Sequence, residues 1–256
     1  MIFDTHAHYD NAAFDEDRDV LLLSLSEAGI GRIVNVGASL ESSKRTIKLT
    51  ESYPFIYGAV GVHPSACGEL TQEEFRELEE LTGRKKVVAV GEIGLDYYWK
   101  EPEASLQKHW FVRQLNHARK AKLPVIIHSR DAAKDTLDIM KAEKAGDLGG
   151  VIHCFSYSRE MAREYLNMGF FLGIGGVSTF QNARHLKEVI DYAPLDCLVL
   201  ETDCPYLAPA PHRGKRNSSL YLPLIVQAIA EIKGIQPKDV ERQTWENGER
   251  LFGLRQ

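Results

Sequence analysis

Short apolar runs alternate with longer amphipathic stretches along the whole chain. The runs at residues 87–90, 125–127 and 198–200 are apolar at every position, as in parallel strands that are buried on both faces. Eight such runs begin near Ile2, Arg32, Phe55, Lys86, Val125, Gly150, Phe170 and Cys197. Each is followed by a stretch whose apolar residues recur at helical spacing, so the pattern predicts eight strand–helix units.

The amphipathic stretches predict helices over residues 14–28, 41–52, 72–81, 103–121, 132–144, 159–168, 184–192, 220–232 and 237–252. Eight strand–helix units in a chain of this size favour a TIM (β/α)8 barrel, with residues 1–256 as a single domain. A doubly wound open sheet is the alternative that the same alternation permits. The glycine cluster at residues 173–176 lacks the spacing of a dinucleotide-binding turn, and we interpret it as a tight turn.

Composition narrows the class of protein. The 256 residues are 44% hydrophobic and 26% charged, which excludes collagen, coiled coils and disordered tails. A net charge of −5 gives no general attraction to nucleic acid or to an anionic membrane, so a phosphate-bearing partner must be held locally. We see neither a targeting segment nor a membrane span, and we expect a cytoplasmic protein. The four cysteines form no CxxC pair, which favours reduced thiols.

Residues that commonly bind metals follow the predicted strands at their carboxyl ends, where a barrel builds its active site. They are His6 and His8 on the first strand, His63 on the third, Glu92 on the fourth, His128 on the fifth, His153 on the sixth and Asp203 on the eighth. His6 and His8 are two residues apart, so both imidazoles face the same side of an extended segment. Taken alone, this pair could be two solvated loop histidines, but the convergence of the seven residues indicates a metal site.

The charges and the types of ligand at this site indicate which cations it would bind. A carboxylate beside a packed interior needs compensation, which two divalent cations would supply. Imidazoles and carboxylates without thiolates suit Zn, Mn, Co or Fe, or Mg where carboxylates dominate, and argue against a structural cysteine–zinc site. Two cations that share a carboxylate would form an open catalytic centre able to activate water.

Four segments together resemble the TatD family of metal-dependent deoxyribonucleases, within the amidohydrolase superfamily. They are Phe3-Asp-Thr-His-Ala-His-Tyr-Asp10, Gly91-Glu-Ile-Gly-Leu-Asp96, Pro124-Val-Ile-Ile-His-Ser-Arg130 and Leu200-Glu-Thr-Asp-Cys-Pro205. The resemblance extends over essentially the whole chain. It implies a TIM barrel with a two-metal site and suggests 3′ to 5′ exonuclease action on DNA.

The resemblance also implies ligand roles. One metal would be held by His6, His8, Glu92 and Asp203, and the second by Glu92, His128 and His153, so that Glu92 bridges the two. His63 matches a family position that lines the pocket, where it could contact substrate phosphate. Two positions depart from the family pattern, because Ser65 replaces a common His and residues 217–219 replace a more usual Asn-Glu-Pro.

Several residues are predicted substrate contacts. Arg213 and Lys215 belong to the basic run after the eighth strand, where such barrels often bind phosphate, and Arg130 follows His128 on the same face. A solvated loop, or a salt bridge from Arg130 to Asp131, is the alternative for these cations. The aromatic run at residues 97–99 could stack on a base or pack on the barrel rim.

We therefore predict metal-assisted hydrolysis of phosphodiester bonds in DNA, with Zn, Mn or Mg as the cations. Glu92 and Asp203 are the predicted catalytic residues, and Asp203 would orient the attacking water and accept its proton. Hydrolysis of another ester, such as an aminoacyl ester on tRNA, would use the same ligands and remains an alternative. A non-enzymatic metal- or nucleic-acid-binding protein has no need of an open two-metal centre. No feature of the sequence indicates a membrane or an obligate protein partner.

Overall fold

The computed structural model describes residues 1–254. Its centre is an eight-stranded parallel sheet in which the strands are arranged in the order of the chain. The strands are β1 (Ile2–Ala7), β2 (Ile30–Val36), β3 (Ile56–Val60), β4 (Val87–Asp96), β5 (Val125–Arg130), β6 (Gly150–Ile152), β7 (Phe171–Ile174) and β8 (Leu198–Leu200). Each begins within two residues of its predicted start. The apolar runs are buried along nearly their whole length, as expected for strands between a helical layer and a packed interior.

The sheet closes between β1 and the residues that follow β8. Ala7 pairs with Cys204 in a parallel bridge, and the His8 amide donates a hydrogen bond to the Cys204 carbonyl at 2.8 Å. The Asp203 amide donates to the His6 carbonyl at 2.9 Å. This closure confirms the predicted TIM barrel over the open sheet, and it joins two chain segments that carry predicted metal ligands.

Nine α-helices are described in residues 1–254. They are α1 (Arg18–Leu25), α2 (Leu40–Ser52), α3 (Gln72–Leu81), α4 (Ala104–Ala121), α5 (Ala133–Ala142), α6 (Arg159–Asn167), α7 (Arg184–Tyr192), α8 (Leu222–Lys233) and α9 (Pro237–Leu251). The predicted bounds differ most at α1, which was expected to begin at Phe14. Residues 12–14 instead form a 3-10 turn, capped by the Asn11 side chain, that buries the Phe14 ring.

Aromatic packing covers the end of the barrel where the strands begin. The Phe3 ring lies 5.8 Å from the Trp245 ring and 5.9 Å from the Phe252 ring, both contributed by the C-terminal part of the chain. Within residues 1–254 no helix is long and apolar enough to cross a bilayer, and all four cysteines are free thiols.

Candidate metal centre

Six predicted ligands meet at the mouth of the barrel, and we refer to them as the mouth cluster. They are His6, His8, Glu92, His128, His153 and Asp203. The rings of His6 and His153 stack with centroids 3.6 Å apart, and the Nε2 atoms of His6 and His8 lie 3.1 Å apart. The structure therefore brings together side chains from five different strand ends.

Glu92 occupies the centre of the mouth cluster and turns a different oxygen to each side. Its Oε2 lies 3.6 Å from His6 Nε2 and 3.7 Å from His8 Nε2. Its Oε1 lies 2.8 Å from His128 Nδ1 and 3.6 Å from His153 Nε2. A carboxylate whose two oxygens face two separate imidazole groups has the arrangement required of a bridging ligand.

Glycines on neighbouring strands allow Glu92 to take this place. A Cβ atom on Gly61 would lie only 2.6 Å from the backbone carbon of Gly91. The backbone just before Glu92 therefore packs against the end of β3 at a distance that no larger residue permits. This close approach sets the position from which the Glu92 side chain reaches the barrel axis.

Asp203 lies on the His6 and His8 side of the centre. Its Oδ1 is 3.3 Å from His8 Nε2, 3.8 Å from His6 Nε2 and 3.9 Å from His153 Nε2. The residue adopts a left-handed backbone conformation with φ of 57°, which aspartate tolerates better than most residues. This turn after β8 directs the carboxylate to the mouth, where its side chain keeps 16% of its surface exposed.

Hydrogen bonds orient two of the imidazoles. His8 Nδ1 lies 2.8 Å from the Val36 carbonyl, an acceptor that places the proton on Nδ1 and leaves Nε2 free to bind a cation. His128 contacts Glu92 through Nδ1, while its Nε2 lies 3.1 Å from Asp96 Oδ2. Asp96 was not among the predicted site residues, although it ends the Gly91–Asp96 motif.

His63 lies beside the centre with its ring centroid 4.3 Å from that of His128. Its Nδ1 accepts a hydrogen bond from the Ser65 amide at 3.1 Å, so that the neutral ring carries its proton on Nε2. Burial lowers the pKa of His63 to about 4, which keeps the ring neutral. Nε2 lies 3.8 Å from Glu92 Oε1, and His63, Glu92 and His128 lie close enough together to hold a cation.

The charges of the mouth cluster are strongly coupled. Burial opposes ionisation of Glu92, but the surrounding imidazoles of His128, His153 and His6 outweigh it and hold the pKa of Glu92 well below its usual range. Burial also opposes protonation of His8, yet Asp203 and Glu92 raise the pKa of His8 to about 9. The buried carboxylates thus demand positive charge, which cations can provide in place of imidazolium protons.

Glu201 is a buried carboxylate of the site that the sequence reasoning missed. Its Oε1 accepts a hydrogen bond from the Cys154 amide at 2.6 Å and lies 3.1 Å from His153 Nδ1. Glu201 Oε2, His6 Nδ1 and His153 Nδ1 have no hydrogen-bond partner among the described residues, so the contact between Glu201 and His153 is one of charge and proximity. The available signal was the position of Glu201 directly after β8, two residues before Asp203.

A second carboxylate, Asp4, ties β1 to the segment after β8. Asp4 accepts hydrogen bonds from the Thr202 hydroxyl at 2.7 Å, the Thr202 amide at 3.0 Å and the Ser219 hydroxyl at 2.6 Å. Burial raises the pKa of Asp4 to about 7 in spite of these bonds. Because His6 and Asp203 adjoin the bonded residues, this seam fixes their relative position.

The predicted cationic substrate contacts have different surroundings. The Arg130 guanidinium lies over the Tyr98 ring, 3.6 Å from its centroid, and no ion pair to Asp131 is seen in residues 1–254. Arg213 lies over Phe180 at 4.6 Å, and Lys215 is exposed. No side-chain hydrogen bond or ion pair within the described range joins Arg213 or Lys215 to the mouth cluster.

The three aromatic residues after β4 differ in their environments. The Tyr97 hydroxyl donates a hydrogen bond to Asp135 at 2.8 Å, so this residue packs on the rim. Tyr98 and Trp99 leave 54% and 55% of their surfaces exposed, and their rings meet edge to face with centroids 4.8 Å apart.

Comparison with known proteins places this fold and site in a family. The model of TatD related DNases matches residues 3–253. The metal-dependent hydrolase YabD of Bacillus subtilis is 42% identical over 99% of this chain and 100% of its own length. The protein named 3′-5′ ssDNA/RNA exonuclease TatD of Cronobacter sakazakii is 34% identical over 98% of this chain and 97% of its own length.

A solved structure agrees with these relatives. YJJV, a TatD homologue from Escherichia coli K12, superposes with a TM-score of 0.93 at 30% identity, covering 98% of each chain. The family predicted from four short motifs is thereby confirmed. The chain belongs to the TatD related DNase family, and the relatives that match it along their whole length include proteins named metal-dependent hydrolases.

Proposed function

We propose that this metal-dependent hydrolase cleaves phosphodiester bonds in DNA and removes nucleotides from the 3′ ends of strands. The observation that carries the proposal is the placement of Glu92, which presents one oxygen to His6 and His8 and the other to His128 and His153. The name of the Cronobacter relative supports a single-stranded nucleic acid as substrate and 3′ to 5′ polarity.

The residues fit two divalent cations. We assign His6, His8 and Asp203 to one cation, His128 and His153 to the other, and Glu92 to both. Nitrogen and carboxylate donors without thiolates suit Zn²⁺ or Mn²⁺, or Mg²⁺ on the carboxylate-rich side. Such a pair of cations, when bound, lowers the pKa of a water and neutralises charge on a transferring phosphoryl group.

Asp203 is the proposed proton acceptor. The chain keeps this carboxylate ionised, since His8, His153 and His6 hold its pKa below the usual range against the effect of burial. It is also one of the more open members of the mouth cluster, whereas the Glu92 side chain is only 5% exposed. Asp203 can therefore orient an attacking water and take its proton.

His63 and Arg130 are the proposed phosphate contacts nearest the centre. His63 Nε2 lies 3.8 Å from Glu92 Oε1 on a side chain that is 16% exposed, so its proton can donate to a non-bridging phosphate oxygen. The Arg130 guanidinium keeps its edge free to donate while its face rests on Tyr98. Arg213 and Lys215 remain predicted contacts to the DNA backbone.

Two labelled substrates distinguish DNA hydrolysis from the alternative, hydrolysis of an aminoacyl ester on tRNA. The protein is incubated with 3′-labelled single-stranded DNA and, separately, with aminoacylated tRNA, under Mg²⁺, Mn²⁺ or Zn²⁺. Release of labelled nucleotide with slow or no release of amino acid is the expected result. Rapid release of amino acid from tRNA with intact DNA would instead assign the centre to carboxylic ester hydrolysis.

A further inference from the structure

An aromatic corner lies next to the candidate metal centre, in the segment that follows β4. Tyr98 and Trp99 form the corner, with ring planes 89° apart. Both rings are more than half exposed although they are large and apolar, a state that leaves a surface available to a flat ligand. Tyr98 supports the Arg130 guanidinium, whereas Trp99 has no role in the proposed hydrolysis.

An open cavity of about 710 Å³ extends in front of the corner. Its walls are Ser65, Tyr98, Trp99, Lys100 and Glu101. This volume lies within the range of roughly 300–1,000 Å³ that is typical of small-molecule sites. The volume is therefore sufficient for a nucleoside.

Two connections fix the corner relative to the reacting phosphate. Asp96 accepts a hydrogen bond from the Tyr98 amide through Oδ1 at 3.0 Å, and its Oδ2 lies 3.1 Å from His128 Nε2. On the other wall, Ser65 Oγ lies 2.7 Å from His63 Nδ1. Two residues that line the cavity are thus connected to histidines of the site, Ser65 to His63 directly and Tyr98 to His128 through Asp96.

Arg130 adds a positive charge beside the two aromatic rings. Its guanidinium covers one face of Tyr98, so the free aromatic face is that of Trp99, with the Tyr98 edge beside it. A cation and an aromatic face next to one another match a phosphate joined to a flat base.

From these contacts we propose that Trp99 and Tyr98 form a nucleobase subsite, in which the base of the nucleotide adjoining the scissile bond packs on the Trp99 face. The inference rests on the proposed function for the phosphate but adds recognition of an unpaired base. Stacking of this kind is independent of base identity, so the subsite favours single strands without sequence preference.

Fluorescence tests the subsite without hydrolysis. Trp99 is exposed, whereas Trp110 is buried and Trp245 is half-buried, so a quencher in the cavity reports chiefly on Trp99. The probe is a phosphorothioate-linked dithymidine with Mg²⁺ present, compared with the same probe carrying one abasic residue. We expect saturable quenching with the base-bearing probe and weak quenching with the abasic one. Equal quenching by the two probes, or none by either, would overturn the proposal.

Variants extend the test to turnover. Trp99→Leu should lower kcat/KM for single-stranded DNA by roughly ten- to hundredfold and abolish the preference for a terminal base over an abasic residue. Tyr192→Leu, at an exposed aromatic on α7, is the matched control and should behave as wild type. A Trp99→Leu protein that still prefers the base overturns the subsite. Base-dependent quenching without any DNA hydrolysis supports the subsite and refutes the proposed function instead.

Discussion

Glu201 lies directly behind His153, with its Oε1 3.1 Å from His153 Nδ1, while the opposite ring nitrogen of His153 faces Glu92 Oε1 at 3.6 Å. The imidazole thus lies between an inner carboxylate and the centre of the site. This order of carboxylate, histidine and cation is common in metal enzymes, where the outer carboxylate fixes the ring and makes it a better donor. Glu201 itself is only 1% exposed and lies close to both His6 and His153.

Replacing Glu201 should weaken cation binding. Glu201→Gln keeps the size of the side chain but loses its charge, so we expect the affinity for Mn²⁺ or Zn²⁺ to fall by about 10- to 100-fold. Competition with a chromogenic chelator measures this change. Glu188→Gln, at an exposed position on α7, is the control and should bind as wild type. An unchanged affinity in Glu201→Gln would show that the carboxylate has no role in holding the cation.

Gly173 provides the space for Glu201. A Cβ atom at this position would lie 2.1 Å from Glu201 Oε2, an impossible distance that forces the carboxylate to move. We expect Gly173→Ala to lower the free energy of unfolding by about 1–3 kcal/mol and to weaken cation binding as Glu201→Gln does.

Urea unfolding followed by circular dichroism measures the stability of this variant. Gly83→Ala is the matched control, since its added Cβ would meet its nearest neighbour, the Glu80 carbonyl, at 3.4 Å, an ordinary contact. Gly83→Ala should therefore unfold nearly as wild type. Equal stability and cation affinity in Gly173→Ala and Gly83→Ala would contradict the tight fit of Glu201.

The cation content of variants distinguishes the two sides of the centre. We expect about two cations per chain in the wild type, about one in His128→Ala, and none or a small fraction in Glu92→Ala, because a bridging ligand serves both positions. Elemental analysis after dialysis gives these ratios. His109→Ala, on the exposed face of α4, should match the wild type. Two cations retained in Glu92→Ala would exclude a bridge.

His63 should affect turnover and not cation content. Its Nδ1 accepts from the Ser65 amide, so its Nε2 proton is a donor to substrate, and loss of one such donor costs about 10²–10³ in kcat. We expect His63→Ala to show a fall in kcat for single-stranded DNA near the lower end of that range, with cation content unchanged. Loss of a cation in His63→Ala would instead make His63 a ligand.

The barrel and the mouth cluster could be predicted because both follow from periodicity. A fully apolar run predicts a buried strand, and a ligand-type residue at its end must lie at the barrel mouth once the strands are parallel. His128 and His153 are found in this way without knowledge of any contact.

Glu201 was hidden by the geometry after β8. The strand ends at Leu200, and Asp203 turns into a left-handed conformation, so the two-residue spacing of Glu201 and Asp203 no longer predicts which way each points. Ser65 departs from the family pattern, and its contact with His63 is a local one, made by the capped turn at Pro64–Glu69, which periodicity does not predict. The course of the loop that carries Arg213 depends on contacts with Phe180 and Asp17 that no local pattern encodes.

The most direct test is the product ladder from 5′-labelled single-stranded DNA, compared between the wild type and the Glu92→Ala His128→Ala double variant under Mg²⁺, Mn²⁺ or Zn²⁺. The wild type should shorten the strand from its 3′ end by one nucleotide at a time, and the double variant should leave it intact because both cation positions are lost. Full nuclease activity in the double variant would contradict a role for this centre in phosphodiester hydrolysis.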